Sequence, residues 1–155
     1  EPLLTGKKIP VRLGGRIINR PLRLDGKELR VTCVSIGNPH CVLFVDDLDQ
    51  APVETLGPRL ETFHLFPQRT NVEFVRVLSP THLEQRTWER GAGETLACGS
   101  GACAVLVASC LNHLSKRKAT ISLRGGNLEI EWNHDDNHVY MTGGAETVFR
   151  GEIEI

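Results

Sequence analysis

The stretch RTWERGAGETLACGSGACA, residues 86–104, decides how this chain is read. It passes through a glycine-rich bend into a run of small and apolar residues, Ala102-Cys103-Ala104-Val105-Leu106-Val107-Ala108. That run predicts a helix over 100–114 that is apolar nearly all round, and such a helix is surrounded by protein. Cys98 stands at its mouth, followed by Gly99, Ser100 and Gly101. A helix start offers unpaired backbone N–H groups and the positive end of the dipole, which hold an anion and favour a thiolate over a thiol. The glycines at 99 and 101 leave the backbone bare, so a carboxylate can come close. Upstream, Glu89 and Arg90 set opposite charges beside the bend. The stretch reads as a place where a reactive thiol meets a small molecule bearing a carboxylate.

The competing reading is that cysteine acts as a small core hydrophobe, which is its commoner role. Cys33, Cys41, Cys103 and Cys110 are assigned to that role: Cys33 from the alternating VTCVSI, Cys41 at a strand start, and the other two inside the helix. Cys98 differs because a core-filling residue needs no such punctuation after it. Five cysteines without CxxC spacing suggest neither a disulfide framework nor a zinc site. A reducing compartment such as the cytoplasm fits.

Around this centre the pattern is strand-rich. Alternation predicts strands near 9–13, 16–24, 29–36, 41–46, 70–78 and 82–89, then near 119–124, 127–132, 137–142 and 146–155. Asp25-Gly26 reads as a hairpin turn. His134-Asp135-Asp136-Asn137 reads as a solvated loop between two strands rather than a metal site, and no metal is expected. A short helix is predicted over 52–64 with Pro58 near its start. Lys116-Arg117-Lys118 is read as complementing the C-terminus of the second helix.

At 155 residues the chain is one domain's worth of sequence, enough to bury a core. A formal net charge of -1 provides no electrostatic footprint for nucleic acid or an anionic membrane, so neither is expected as a partner. No stretch approaches the roughly 20 apolar residues that span a bilayer, and no signal peptide is visible.

The 86–104 run resembles the second active-site motif of the diaminopimelate epimerase family, down to the Trp-Glu-Arg-Gly-Ala-Gly-Glu-Thr before the cysteine. Three further stretches agree in order: SIGNPHCVLFVDD at 35–47, RTNVEFV at 69–75 and VYMTGGAETVFRGEI at 139–153. The resemblance implies an α+β fold, a mixed and mostly antiparallel sheet wrapped as a barrel around a central helix. It also implies a two-domain enzyme in which each domain lends one cysteine from a glycine-rich turn. The first-domain motif, cysteine followed by Gly-Asn-Gly, is absent here. Residues 1–155 are therefore expected to be the C-terminal domain, with a last strand near 146–155 packing on the missing N-terminal domain. A homodimer is plausible on the same ground.

The activity implied is interconversion of LL- and meso-diaminopimelate, a step of lysine and peptidoglycan precursor synthesis, by proton transfer at the α-carbon. No cofactor is expected, since no lysine (Lys7, Lys8, Lys27, Lys116, Lys118) sits in a phosphate-binding context for pyridoxal phosphate. Two bases must then flank the carbon, one thiolate and one thiol, and Cys98 matches the second. The resemblance makes His40 the proton partner of Cys98. It makes Glu89 the residue serving the missing cysteine and meeting a substrate ammonium, and Arg90 the clamp on the distal carboxylate. Asn38 and Asn71 would hydrogen-bond the distal amino-acid end, and the amides of Gly99 and Ser100 would hold the α-carboxylate. Without the resemblance, His40 reads as structural, Glu89-Arg90 as a solvated ion pair, and the asparagines as turn chemistry. A sister racemase of the same fold, acting on a proline-type or other amino acid, and a non-catalytic binding domain are the alternatives.

Overall fold

The computed structural model describes residues 1–154. Strands β1 (Arg20–Leu24) and β2 (Lys27–Ser35) form a hairpin across Asp25-Gly26. Those two residues have φ of 50° and 77°, the pair of positive values that a tight turn matching strand twist requires. Strand β3 (Pro39–Phe44) returns antiparallel to β2. Helix α1 (Val53–Glu61) then carries the chain across to β4 (Asn71–Ser79), which lies parallel to β3. Strand β5 (His82–Glu89) pairs back antiparallel to β4, and the short β6 (Gly93–Thr95) pairs with the end of β5. Helix α2 (Gly99–Leu111) makes the second crossover, to β7 (Lys118–Leu123), parallel to β5. Strands β8 (Gly126–Trp132) and β9 (Val139–Thr142) finish the sheet as an antiparallel meander.

The strand order is β1-β2-β3-β4-β5-β7-β8-β9. The architecture is α+β, as expected, with a mixed, mostly antiparallel sheet. The expected barrel is not formed. Among the described residues β1 and β9 stay at opposite ends of the order, and the sheet curls round α2 without closing. Helix α2 packs against every strand from β2 to β5 and from β7 to β9. Its residues from Gly101 to Ser109 are buried without a break.

Strand alternation sorts the sheet residues into two layers. On one face Cys33, Cys41, Leu43, Val72 and Phe74 pack toward α1 with Val53 and Leu60. On the other, Val34, Val42, Val75, Leu83, Ile121 and Ile130 enclose α2. The α2 face turns polar near the start of that helix, where His40, Glu73, Gln85 and Thr87 are all buried. Gly57 lets α1 sit directly on β5, because a Cβ there would lie 2.6 Å from Trp88 Cγ.

Several local expectations change. Residues 9–13 form turns and bends rather than a strand, and 16–24 is a strand only from Arg20, with Arg16 in an isolated bridge to Thr5. Here Ile9, Val11 and Ile17 are buried by irregular backbone that joins the α1-side core, a pattern that alternation alone imitates. Residues 143–154 are irregular and exposed, so the strand expected near 146–155 is absent from them; Ile155 lies outside the described residues. The first helix begins at Val53, so Pro58 falls inside it rather than at its start. A helix this short tolerates the lost bond, and Thr62 Oγ1 donates to the Pro58 carbonyl. Cys110 is only partly buried at the end of α2: it packs against the core around that helix, and its sulfur also meets Ser115 and the Lys116 carbonyl. The basic cluster serves the sheet and not the helix end: Arg117 lies 3.9 Å over the Trp132 ring, and Lys118 pairs with Glu131 across β7 and β8.

An ion pair locks β6 to β5. Arg86 Nε and Nη2 donate to the two Glu94 oxygens at 2.8 and 3.0 Å, and Arg124 adds a third contact at 2.9 Å. The Arg86 hydrogen bonds, with its charge and that of Arg124, hold the Glu94 carboxyl below the usual glutamate range. Glu94→Ala is expected to cost about 3 kcal/mol in urea unfolding at pH 7, since it strands a largely buried guanidinium. Because the folded-state value is depressed, this stabilisation is full above the ordinary carboxylate range and fades as pH falls through it. The difference between the two proteins should therefore shrink on acidification.

Candidate active site

Cys98 is the N-cap of α2. Its backbone is extended, with φ of −137° and ψ of 103°, and its sulfur accepts the Gly101 N–H at 3.4 Å. The N–H groups of Gly99 and Ser100 lie in the first helical turn, where no intrahelical acceptor exists. Cys98 therefore stands at the helix start, where the sequence put it. Burial opposes the thiolate that a helix start favours. Cys98 is only 6% exposed, and burial is the main force raising its thiol above the ordinary value. The negative charge of Glu73 adds to this, hydrogen bonds from Ser100 and the Gly101 amide oppose it, and Glu89 contributes a smaller upward push. Burial and the charge of Glu73 thus favour the thiol form of Cys98.

His40 does not touch Cys98. Its ring is wholly buried, with Nδ1 2.8 Å from Glu73 Oε1 and Nε2 3.0 Å from Asn38 Oδ1. The link to the cysteine is indirect: Asn38 Nδ2 donates to Ser100 Oγ at 3.3 Å, and Ser100 Oγ lies 3.6 Å from Cys98 Sγ. The Gly-Asn-Pro-His turn thus aims Asn38 and the histidine together.

Glu89 ends β5 half-buried, with Oε1 accepting the Thr95 hydroxyl at 2.5 Å. Arg90 follows on the exposed bend, and its Nη1 donates to the Gln68 carbonyl at 2.9 Å. Asn71 is buried between the two loops: Nδ2 donates to the Pro39 carbonyl at 3.0 Å, while Oδ1 accepts the Arg90 N–H at 2.9 Å. The structure therefore gathers Cys98, Ser100, Asn38 and His40 in one chain of contacts, and ties Asn71 to Arg90.

Four residues were missed from sequence. Glu73 is fully buried beside His40, and its Oε2 accepts from Gln85 Nε2 at 3.1 Å and from the Thr87 hydroxyl. Glu61, also buried, accepts the Gly91 N–H at 3.0 Å and the Trp88 indole N–H at 2.8 Å, which fixes the bend that carries Glu89 and Arg90. Glu73 left a readable signal. It is an acidic residue inside the apolar run Val72 to Val75, in a strand otherwise built for the core.

Alkylation of Cys98 by iodoacetamide, followed by peptide mass spectrometry, should be slow at neutral pH. It should rise with a midpoint above that of an ordinary cysteine. Ser100→Ala is expected to move the midpoint further up, since it removes a donor to the thiolate. A midpoint below the ordinary value would mean the helix dipole outweighs burial.

Comparison with known proteins gives the family. The family model described as diaminopimelate epimerase matches residues 32–148. Diaminopimelate epimerase of Acetivibrio thermocellus is 57% identical over all of this chain and 56% of its own length. Diaminopimelate epimerase 1 of Nostoc sp. is 53% identical over 98% of this chain and 56% of its length. The chloroplastic enzyme of Oryza sativa subsp. japonica is 51% identical over 97% of this chain and 46% of its length. The chain thus spans about half the length of the curated relatives it matches. Among solved structures, methylitaconate-delta-isomerase superposes with a TM-score of 0.56 at 11% identity, covering 81% of this chain and 46% of that one. A Bacillus anthracis phenazine biosynthesis protein of the PhzF family gives 0.53 at 16%, covering 73% and 38%. These two likenesses are of fold alone. On the sequence relatives and the family match, this chain belongs to the diaminopimelate epimerase family.

Proposed function

We propose that this chain is the C-terminal half of a diaminopimelate epimerase, an isomerase that interconverts LL- and meso-diaminopimelate in lysine and peptidoglycan precursor synthesis. The observation that carries the reading is Cys98 at the start of α2, a thiol with free first-turn amides beside it. Inverting a stereocentre needs one group to remove the α-proton and another, on the opposite face, to return a proton. A thiol at neutral pH suits the donor, and the matching thiolate comes from the N-terminal half.

Each residue has a part. The amides of Gly99 and Ser100 hold the α-carboxylate and stabilise charge developing on the α-carbon. Glu89 serves the cysteine of the other half and meets the substrate ammonium. Arg90, exposed on its bend, clamps the distal carboxylate with the guanidinium edge that Gln68 leaves unused. Asn38 and Asn71 hold the distal amino-acid end, Asn71 with its second amide hydrogen. His40 acts on Cys98 through Asn38 and Ser100 rather than by contact. The N-terminal half covers the cleft, and the exposed Val148, Phe149 and Ile153 are where it packs, closing the curled sheet toward a barrel. A reducing compartment such as the cytoplasm keeps the five cysteines free. Among the described residues no helix is long and apolar enough to cross a membrane.

The test is α-proton exchange on LL-diaminopimelate in heavy water, with the product's stereochemistry resolved. The chain alone is expected to give no inversion. The same chain joined to a cysteine-bearing N-terminal half is expected to epimerise, and Cys98→Ala in that joined protein to abolish inversion. Clean epimerisation by the chain alone would overturn the two-half reading.

A further inference from the structure

The buried acid Glu73 has no part in the mechanism above, yet every atom around it is arranged for it. His40 and Glu73 are both 0% exposed, and their facing atoms are 2.8 Å apart. A hydrogen must lie between them. Glu73 Oε2 already accepts from Gln85 and Thr87. Gln85 gives both amide hydrogens to this cluster, one to Glu73 and one to Thr87 at 2.8 Å, and leaves its own Oε1 buried without a partner among the described residues. A buried acceptor without a donor is destabilising, so the cluster gives up stability to surround Glu73 with donors. Helix α2 seats on the same atoms: a Cβ at Gly101 would lie 2.8 Å from both Glu73 Oε1 and Gln85 Nε2.

The direction of the remaining hydrogen bonds follows. Asn38 Oδ1 can only accept, so His40 Nε2 must donate to it. Asn38 Nδ2 then donates to Ser100 Oγ, which leaves the Ser100 hydrogen free to point at Cys98 Sγ. If His40 lost its Nε2 hydrogen, the Asn38 amide would turn over. Its oxygen would then take the Ser100 hydrogen, and the sulfur would lose its donor.

We propose that Glu73 is a positioning residue for Cys98: it holds the His40 ring at Nδ1 so that Nε2 donates to Asn38, and so fixes the chain His40–Asn38–Ser100 in the direction that delivers a hydrogen bond to the sulfur. The proposal rests on Cys98 being the acid–base group. The groups facing Cys98 are Glu73 from β4, Glu89 from β5 and Cys103 from α2, and His40 from β3 reaches it through the chain.

Two effects of Glu73 on the thiol oppose each other, which makes the test decisive. As a bare negative charge, Glu73 disfavours the thiolate; as the anchor of the chain, it favours it. The iodoacetamide titration of Cys98 in Glu73→Gln is expected to shift to higher pH, because a neutral amide oxygen can accept the His40 Nδ1 hydrogen while leaving Nε2 bare. A shift to lower pH, the result of removing a charge alone, would overturn the proposal. In a Ser100→Ala background the chain is cut, so the upward shift from Glu73→Gln should vanish. Its persistence would mean that Glu73 acts through general structure instead. If Glu73→Gln does not fold, the nitrogen-15 shifts of His40 in the unaltered protein decide: a protonated Nε2 supports the proposal, and a bare Nε2 overturns it. The titration is read without substrate, so its failure would leave the epimerase reading standing.

Discussion

Helix α2 has no polar face, and the rest of the structure follows from hiding it. Gly101 through Ser109 are all buried, so the helix can exist in water only if strands surround it. The sheet does so by curling, with two parallel crossovers that bring β3 beside β4 and β5 beside β7. Burying a helix along its length leaves its first-turn N–H groups to be satisfied at one end. That end is where the sheet changes from valine, leucine and isoleucine to His40, Glu73, Gln85 and Thr87. The site is thus the polar end-plug of an otherwise dry helix–sheet interface.

The plug explains why the cysteine is a thiol here. A helix start alone favours a thiolate, but the same burial that supports the helix removes water from the sulfur and brings the charge of Glu73 near it. Burial wins, and hydrogen bonds from Ser100 and Gly101 recover part of the loss.

The loops bearing the other polar groups are held by residues that never reach the thiol. Asn71 bridges the Gly-Asn-Pro-His turn and the Glu-Arg bend, and Glu61 reaches from α1 to clamp Trp88 and Gly91. The Arg86–Glu94 pair then fixes β6, which leads straight into Cys98. Three separate polar clips therefore set where the exposed bend stands relative to the start of α2.

Much of this could be read in the chain alone. The apolar run after Cys98 determined a buried helix, since no other packing suits it. Asp25-Gly26 determined a tight hairpin because both residues accept positive φ, and the glycine-rich bend with its following cysteine marked the site. Tertiary structure decided the rest. Alternation near 9–13 and 16–19 could not reveal that irregular backbone buries those residues, because burial on one side looks the same whether or not a ladder forms. The protonation of Cys98 also depends on water excluded by strands distant in sequence, which a helix-start rule does not count. Glu73 meets His40 only because parallel pairing of β3 with β4 sets the two strands side by side, a contact across 33 residues that no local pattern encodes.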